Sequence, residues 1–500
     1  MYDLRELQRV LDLQRDSYLK KGDPSLQLRL SRSSRMALAL LENIDMLADA
    51  LCADYGWRSP ALSKSFEGIS WVEDVQQSLA NVAQWMQPRM VNGGFVQAKP
   101  KGVVGVIGTW SFPLASSFQP AMAALAAGNR VMLNFPEQLP NTGALLRKLL
   151  NERFDESEVA LFTGDIATAT SFATLQFDHL LFTGSPEIGT LVSQAAARNL
   201  VPVTLALGGK NPAVIARDAD LAMAATRIAS TRLINGGQAC LCPDYAFIPD
   251  ENFEDFIAQL RARMRDISGD YPRNPAIVPV INEHNHDRVL ALVDDAVARG
   301  TQRIEILPGT ELQGLPDRAA RRIAPILLIE PPEDARINMH EIFGPVLVLK
   351  RYGKLQQVID YIARRPAPLA AYWYGDDGVD FQHFLAHTTS GGVTRNDGFM
   401  HGMLPGAPFG GVGMSGSGAC HGRAGFDTFT HYRTIAHAHA EHGVADAVFN
   451  GTQLKPGALA DGNHAIETAI ASFKKHAGPL RTQGAPRAVR LADHVSSATR

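Results

Sequence analysis

Cys240 is the residue in this sequence best suited to covalent catalysis. It ends the stretch Asn235-Gly-Gly-Gln-Ala-Cys240, in which a glycine pair follows a helix-like segment. Backbone N–H groups can converge on a thiol in such a turn, and a polar, accessible setting lowers the thiol pKa toward the reactive thiolate. A single cysteine is more often an inert, buried residue. The motif alone therefore leaves both interpretations open.

A second candidate for chemistry is the stretch Phe182-Thr-Gly-Ser-Pro-Glu-Ile-Gly189, between an apolar run and an amphipathic stretch. We expect a helix to begin near Ser185, where free N–H groups and the positive end of the helix dipole suit a pyrophosphate. A plain strand-turn-helix with a serine N-cap is at least as good an interpretation. The missing Gly-Lys-Ser/Thr ending excludes a P-loop.

A third glycine pattern, Gly411-x-Gly413-x-x-Gly416, matches the dinucleotide-binding fingerprint literally. That fingerprint binds phosphate only where it joins a strand to a helix. Here it follows Pro408-Phe-Gly410, and a Ser- and Gly-rich stretch comes after it. We therefore interpret it as a structural loop.

The other cysteines and a histidine cluster do not indicate a metal site. The four cysteines stand at positions 52, 240, 242 and 420. They are too few and too scattered for a disulfide framework, which favours a reducing cytoplasm. No further Cys or His pair at ligand spacing accompanies Cys240 and Cys242. His437, His439 and His442 lie in a polar tail, where such clusters are usually solvated, so we predict no bound metal.

The elements that must position these residues alternate as in a parallel α/β fold. The first ninety residues have helical periodicity, from Leu4 to Leu13 and from Met36 to Leu51. The predicted strands of a first series are Val103 to Ile107, Val131 to Leu133, Val159 to Phe162, His179 to Phe182 and Val201 to Leu205. A second series has strands at Ala213 to Ala216, Tyr245 to Ile248 and Val346 to Lys350, and helices at Leu221 to Leu233 and Phe253 to Met264.

Composition is that of an ordinary globular protein. With 500 residues, 45% of them hydrophobic, the chain can form two or three domains. A formal net charge of -3 leaves no broad basic field, so we expect neither nucleic acid nor a membrane as partner. The N-terminus does not resemble a secretory signal, and no apolar run approaches the roughly 20 residues of a membrane span. After His431 only Ala465 to Lys475 predicts a helix, in a tail that we expect to be partly disordered.

Six stretches, in order along the chain, resemble the aldehyde dehydrogenase superfamily from about Ser70 to Ile435. The matching stretches are Lys101-Gly-Val-Val-Gly-Val-Ile-Gly108 with Trp110 and Phe112-Pro113, Phe182-Thr-Gly-Ser185 with Gly189, Leu207-Gly-Gly-Lys-Asn-Pro212, Gly237-Gln-Ala-Cys240, Glu341-Ile-Phe-Gly-Pro345 and Pro408-Phe-Gly-Gly411. The segment from Ser415 to Phe429 is most similar to the branch acting on coniferyl, other aromatic and fatty aldehydes. Six ordered matches make the resemblance highly specific.

This resemblance implies an α/β fold with two parallel-sheet domains and a small oligomerisation sheet. Residues 1–206 would form the dinucleotide-binding domain, with oligomerisation strands near 93–105, and residues 207–405 the catalytic domain. Residues 406–436 would return to the cofactor domain and the oligomerisation segment, and residues 437–500 would be the tail. A homodimer is expected.

The chemistry that the resemblance implies is attack of the Cys240 thiolate on an aldehyde, hydride transfer to NAD(P)+, and hydrolysis of the resulting thioester to an acid. Glu341 and Phe343 would position the nicotinamide ribose and ring. The other residues that the resemblance places at the dinucleotide are Ile107, Trp110, Asn134, Glu137, Gly164, Thr183, Gly184, Ser185 and Gly189.

Two catalytic positions depart from the family pattern. Ser111, in Trp-Ser-Phe-Pro, replaces the asparagine that donates to the oxyanion, and the loss of such a donor costs about 10²- to 10³-fold in rate. Ala206, in Leu-Ala-Leu-Gly-Gly, replaces the glutamate general base, which contributes about 10²- to 10⁴-fold. We therefore expect slow thioester hydrolysis, with Glu341 as the only nearby carboxylate to take over.

The ribose-binding position differs as well. Asn134, in Asn-Phe-Pro-Glu137, replaces the family lysine. Asn134 offers no charge to a 2′-phosphate, and Glu137 would accept hydrogen bonds from a ribose diol and repel that phosphate. We therefore expect NAD to be preferred over NADP.

Three functions stay open on this evidence. The leading one is an NAD(P)-dependent dehydrogenase of aromatic or aliphatic aldehydes with slow release of the acid. In the second, coenzyme A rather than water resolves the thioester, so that no base is needed. In the third, the chain is a cofactor-binding or scaffold protein that has lost catalysis. The aldehyde itself depends on loops such as Arg395 to Leu404, whose placement the sequence does not define.

Overall fold

The computed structural model describes residues 3–271, 274–437 and 458–475. A helical layer comes first, and side chains cap its helices: Asp3 accepts a hydrogen bond from the N–H of Glu6, and Ser25 accepts one from that of Leu28. These helices are α1 (Leu4–Lys21), α2 (Leu26–Leu41), α3 (Ile44–Tyr55), α4 (Pro60–Ser63) and α5 (Val72–Trp85), with a π-helix at Lys64–Ile69. None of the described helices has the length and apolarity to cross a membrane.

Two short strands, β1 (Arg89–Val91) and β2 (Gly94–Pro100), lead into a six-stranded sheet. Its strands and helices are β3 (Val103–Ile107), α6 (Pro113–Ala126), β4 (Arg130–Phe135), α7 (Pro140–Asn151), β5 (Val159–Thr163), α8 (Ile166–Ala173), β6 (His179–Gly184), α9 (Pro186–Ala197) and β7 (Val203–Leu207). On β3, Val104 and Val106 pack into one apolar core while Val103 and Ile107 pack into another. The sheet is therefore buried on both faces, as parallel sheets usually are.

A seven-stranded sheet follows. Its elements are β8 (Asn211–Ile215), α10 (Leu221–Leu233), β9 (Pro243–Pro249), α11 (Phe253–Ser268), α12 (Glu283–Ala298), β10 (Gln302–Glu305), β11 (Ile326–Ile329), β12 (Val346–Tyr352), α13 (Leu355–Ala363), β13 (Ala370–Tyr374), α14 (Val379–His387) and β14 (Gly392–Arg395). The strand order is β10-β11-β12-β9-β8-β13-β14, and only β10 runs antiparallel to its neighbour.

The last described elements are β15 (Gly416–Ser417), α15 (Gly422–Thr428), β16 (Thr430–Ala436) and α16 (Ala458–Lys474). β15 joins the six-stranded sheet, whose order is β15-β7-β6-β3-β4-β5, and β1, β2 and β16 form a separate three-stranded sheet. The described residues divide into two compact units, one of residues 3–89 and 96–433 and one of residues 90–95, 434–437 and 458–475.

The predicted α/β class is confirmed, with two largely parallel sheets and a small third one. The strand predicted at Val201 to Leu205 begins two residues later, at Val203. Pro202 has no N–H to give to a ladder, and Val201 instead donates to the carbonyl of Ala196 at the end of α9. In the tail, α16 begins at Ala458 rather than Ala465. The remainder of the predicted tail, with His439 and His442, lies outside the described residues.

Candidate active site

A turn between α10 and Cys240 shapes the backbone around the thiol, and we call residues 234–240 the nucleophile turn. Three consecutive residues have positive φ: Asn235 (50°), Gly236 (66°) and Gly237 (78°). Asparagine and glycine are the residues that tolerate this left-handed region. A Cβ at Gly237 would also collide with the carbonyl oxygen of Gly344. The local sequence Asn-Gly-Gly is therefore what allows the chain to turn here.

Amide side chains tie the nucleophile turn to β8 and to the loop at Pro279. Asn211, the first residue of β8, donates from Nδ2 to the carbonyls of Cys240 (2.7 Å) and Cys242 (2.9 Å). Gln238 donates to the carbonyls of Asn235 and Pro279, both at 2.9 Å. Cys240 itself is half-buried and packs against the core of the seven-stranded sheet. The predicted nucleophile thus lies in a rigid, hydrogen-bonded setting.

The electrostatic setting of the thiol differs from the sequence-based expectation. Burial, with smaller contributions from Glu341 and Cys242, raises the pKa of the Cys240 thiol to about 12. We had expected the turn to lower this pKa. Its N–H groups do act in that direction, but loss of water outweighs them. The thiol of the free protein is therefore protonated at neutral pH and must lose its proton to react.

Ser111 lies beside the nucleophile turn. Its carbonyl accepts hydrogen bonds from Asn235 Nδ2 (3.2 Å) and from the Tyr55 hydroxyl (3.1 Å), and its side chain is buried. The predicted oxyanion residue and the thiol are thus joined through Asn235, which also donates to the carbonyl of Gln238. Sequence reasoning gave no role to Asn235 or Asn211, although Asn235 begins the motif that ends at Cys240 and Asn211 lies in a stretch that carries the resemblance.

Ala206 and Glu341 meet at the carboxyl end of β7. Ala206 pairs with Thr183 on β6 and with Gly416 on β15, and it ends in a methyl group. The Glu341 carboxylate lies over Gly208, two residues further on, where any Cβ would collide with it. The N–H of Gly209 hydrogen-bonds this carboxylate.

The pairing of Gly416 also shows that the third glycine pattern is a loop and a short strand, as we interpreted it.

The Glu341 carboxyl group is held between opposing charges. Burial and the negative charge of Asp244 raise its pKa, the Gly209 N–H, Lys210 and Arg232 oppose the shift, and the pKa is about 8. Its backbone is held by Arg288, which donates to the carbonyls of Glu341 (3.1 Å) and Ile342 (2.7 Å). Glu341 is therefore a carboxyl group poised to exchange a proton near neutral pH.

The residues expected at the dinucleotide gather at the carboxyl ends of the parallel strands. Ile107 ends β3, Thr183 and Gly184 end β6, and Gly164 follows β5. The strand order reverses between β3 and β6, which is the place where open α/β sheets bind ligands. Ser185 caps α9 by accepting from the N–H of Ile188 at 3.3 Å. Both interpretations of this stretch, a serine cap and a helix N-terminus free for phosphate, are compatible with this geometry.

The side chains around this edge fit a nicotinamide dinucleotide. Asn134 is buried on β4, and no described residue donates to its Oδ1, which leaves an acceptor for a ribose hydroxyl. Gly189 lies so close to Leu207 that a side chain would clash. Trp110 and Phe343 make an edge-to-face contact with ring centroids 5.4 Å apart, next to Glu341. Glu137 is exposed and follows the end of β4 by two residues.

Comparisons with known proteins agree with this geometry. A coniferyl aldehyde dehydrogenase of Pseudomonas sp. is 40% identical over 439 residues, which cover 86% of this chain and 90% of the relative. A dimeric NADP-preferring aldehyde dehydrogenase of Rattus norvegicus is 32% identical over 434 residues, covering 84% and 92%. The structure of the substrate-bound state of Staphylococcus aureus AldH matches with a TM-score of 0.82 at 27% identity, covering 94% of this chain and 100% of that one.

The match also extends to the family as a whole. A model described as the aldehyde dehydrogenase family covers residues 20–435, which include the nucleophile turn, both large sheets and the Glu341 segment. The resemblance inferred from six sequence motifs is thereby confirmed. The chain belongs to the aldehyde dehydrogenase family, whose members oxidise aldehydes to acids.

Proposed function

We propose that the chain oxidises aromatic aldehydes of the coniferyl type with NAD(P)+ through a thioester on Cys240, and that hydrolysis of this thioester limits turnover. The observation that carries the proposal is the contrast between two neighbouring parts of the site. The nucleophile turn is formed, whereas Ala206 presents a methyl group at the position where the resemblance implies a glutamate.

The residues of the chain divide the work as follows. The Cys240 thiol loses its proton and its sulfur attacks the aldehyde carbon, with Ser111 as the side-chain donor to the developing oxyanion. Bound NAD(P)+ supplies the hydride acceptor, and Glu341, Trp110 and Phe343 hold its nicotinamide end. Because the thiol pKa lies near 12 in the free protein, formation of the thioester is expected to become faster as the pH rises.

An aromatic substrate is supported by the side chains around the thiol. Phe66 lies 5.6 Å from Phe112 and 5.8 Å from Phe399, measured between ring centroids. Phe112, Phe409 and Cys240 pack against the same apolar core, to which Phe399 belongs. Flat aromatic walls favour ring-shaped ligands through offset and edge contacts. The relative at 40% identity is itself a coniferyl aldehyde dehydrogenase.

For the assembly we propose a cytoplasmic homodimer in which residues 1–206 and 406–436 hold the cofactor and residues 207–405 supply the thiol. Residues near 93–105 would contribute to the oligomerisation sheet. All four cysteines are free, which suits a reducing compartment. β1 is exposed along its length, as are four successive residues of β16, and such strand edges readily pair with another chain.

The proposed function is tested by mixing the enzyme with NAD+ and coniferyl aldehyde and recording NADH formation. We expect a burst of one NADH per chain followed by a slow steady phase, because the thioester forms faster than it is hydrolysed. Acceleration of the slow phase by coenzyme A would instead support the acylating function. Absence of a burst with any aldehyde, despite measured NAD+ binding, would show a cofactor-binding scaffold and reject the proposal.

A further inference from the structure

Glu341 occupies the end of β7 from which a catalytic carboxylate is missing. Its side chain reaches across from the segment before β12 and lies against Gly208, while Gly209 donates an N–H to it. Ala206, at the expected base position, lies on β7 two residues before Gly208. A glutamate at 206 and Glu341 would bring two carboxylates together. With alanine at 206, Glu341 is the carboxylate at this edge.

The same short segment connects this carboxylate to the nucleophile. Residues 208–211 run from β7 into β8, with the Glu341 carboxylate on Gly208 and Gly209 and the Cys240 carbonyl on the side chain of Asn211. The charge of Glu341 is also close enough to Cys240 to raise the thiol pKa. The segment from Gly208 to Asn211 therefore holds the Glu341 carboxylate at one end and the backbone of the nucleophile at the other.

We propose that Glu341 is the general base that hydrolyses the Cys240 thioester in this chain. The proposal rests on the proposed function, which supplies the thioester. Glu341 takes a proton from a water molecule as the water oxygen attacks the thioester carbon. The tetrahedral intermediate then collapses, the carbon–sulfur bond breaks, and the carboxylic acid leaves. The proton on Glu341 passes to the Cys240 thiolate, which restores both groups.

The charges that face Glu341 set the pH at which it works. Burial and, to a lesser extent, the charge of Asp244 disfavour its ionised form, whereas the Gly209 N–H, Lys210 and Arg232 favour it, and the net result is a pKa of about 8. The negative charge of Glu341 favours the charged form of Arg288, whose guanidinium donates to the Glu341 carbonyl. The base is the deprotonated form, so hydrolysis of the thioester increases as the pH rises through about 8.

Glu341 cannot serve the cofactor and the water at once. The proposed function gives its oxygens to the nicotinamide ribose, and a carboxylate that accepts from ribose hydroxyls is not free to take a proton from water. Hydrolysis therefore follows release of the reduced cofactor. The use of Glu341 for both the cofactor and the water is a second reason, besides the alanine at 206, for slow hydrolysis of the thioester.

The test uses an activated ester, which acylates Cys240 without any cofactor. With p-nitrophenyl acetate, the burst of p-nitrophenol counts acylated thiols, and the steady phase measures hydrolysis of the acyl-enzyme. We expect Glu341→Gln to keep a burst of one per chain, to slow the steady phase about 100-fold, the lower end of what a general base contributes, and to abolish its rise near pH 8. Intact-mass spectra should show the acetylated chain persisting for a correspondingly longer time.

Two further variants keep this test decisive. Ala206→Glu in the Glu341→Gln background should restore a fast steady phase, because a carboxylate returns to the same edge. The control Glu187→Gln removes an exposed carboxylate whose charge also reaches Arg288, and it should leave both phases unchanged. If Glu341→Gln keeps its burst and its steady-phase rate stays within twofold of the wild type, Glu341 is not the base. The proposed function would survive that result. Absence of a burst in the wild type would instead overturn the thioester on Cys240.

Discussion

We propose that cofactor choice depends on two side chains, Asn134 and Glu137. Asn134 is buried on β4 with an acceptor oxygen to spare among the described contacts, and Glu137 is exposed three residues later, where Gln138 donates to it at 2.8 Å. A neutral amide and an acidic group suit the two hydroxyls of an adenosine ribose. Neither compensates the charge of a 2′-phosphate, since a phosphate needs a cation or free N–H groups.

We therefore predict that the wild type binds NAD+ more tightly than NADP+, and that Asn134→Lys narrows or reverses the difference. A new charge-assisted hydrogen bond to the 2′-phosphate contributes about 1.5–3 kcal/mol, at least a tenfold gain in NADP+ affinity. Glu137→Gln should also improve NADP+ binding by removing repulsion. Titration calorimetry of both cofactors against all three proteins measures this, and equal wild-type affinities would contradict it.

For single residues, the sequence indicated which residues belong to the site better than it indicated their burial, charge and hydrogen bonds. Cys240, Ser111, Ala206 and Glu341 were predicted as site residues through the family resemblance. The structure places Ala206, the Glu341 carboxylate and the Cys240 backbone near the adjoining ends of β7 and β8, and Ser111 beside Asn235 of the nucleophile turn. The thiol pKa was not predictable, because it depends on burial and on Glu341, 101 residues away in the chain. Asn211 and Asn235 were missed for a related reason: their roles lie in hydrogen bonds to carbonyls that only the folded chain brings near.

The nucleophile turn is the element that most constrains the site. Its three positive φ values cannot be maintained by most residues, and Gly237 has no room for a Cβ against the Gly344 carbonyl. The turn therefore depends on the segment that carries Glu341, because that segment supplies the carbonyl on which Gly237 packs.

Gly237→Ala should destabilise the protein by about 1–3 kcal/mol, from the strained φ and the steric clash together. It should also alter the rate at which iodoacetamide alkylates Cys240. The matched control is Gly309→Ala, since Gly309 is exposed and has open space around its Cα. Urea unfolding and alkylation kinetics of both variants provide the measurement. A Gly237→Ala protein as stable as the control would show that the turn is not under steric constraint.

Elements with strong periodicity were predicted almost to the residue, as for α10 at Leu221–Leu233 and β3 at Val103–Ile107. Their apolar residues are buried in the way the pattern requires. The three-stranded sheet left no such pattern, because β1 has only three residues, all exposed, and β16 has four successive exposed ones. It was expected only through the resemblance, since periodicity reports a buried face and this sheet has little of one.

On the scale of the whole molecule, the exposed edges of that sheet bear on assembly. Met90, on the edge strand β1, is 73% exposed, and an uncovered strand edge with an apolar side chain favours pairing with another chain. The rat relative is described as dimeric.

We predict a particle of twice the 54.2 kDa of one chain in light scattering coupled to gel filtration. Met90→Glu should shift it toward the monomer, because a charge on a buried interface is costly. Leu19→Glu, at an equally exposed leucine on α1, should remain dimeric. A wild type that elutes as a monomer at micromolar concentration would refute the dimer.

The contact between Gly237 and the Gly344 carbonyl has a consequence for folding. It joins positions more than 100 residues apart, so it closes only after the intervening helices and strands have packed. In a ribosome-bound or partly refolded chain, the turn that holds Cys240 would then not yet be formed. Cys240 would lack the neighbouring backbone N–H groups that it has in the native state. In refolding, dehydrogenase activity should therefore return after the far-ultraviolet circular dichroism, as one of the last properties of the native state to appear.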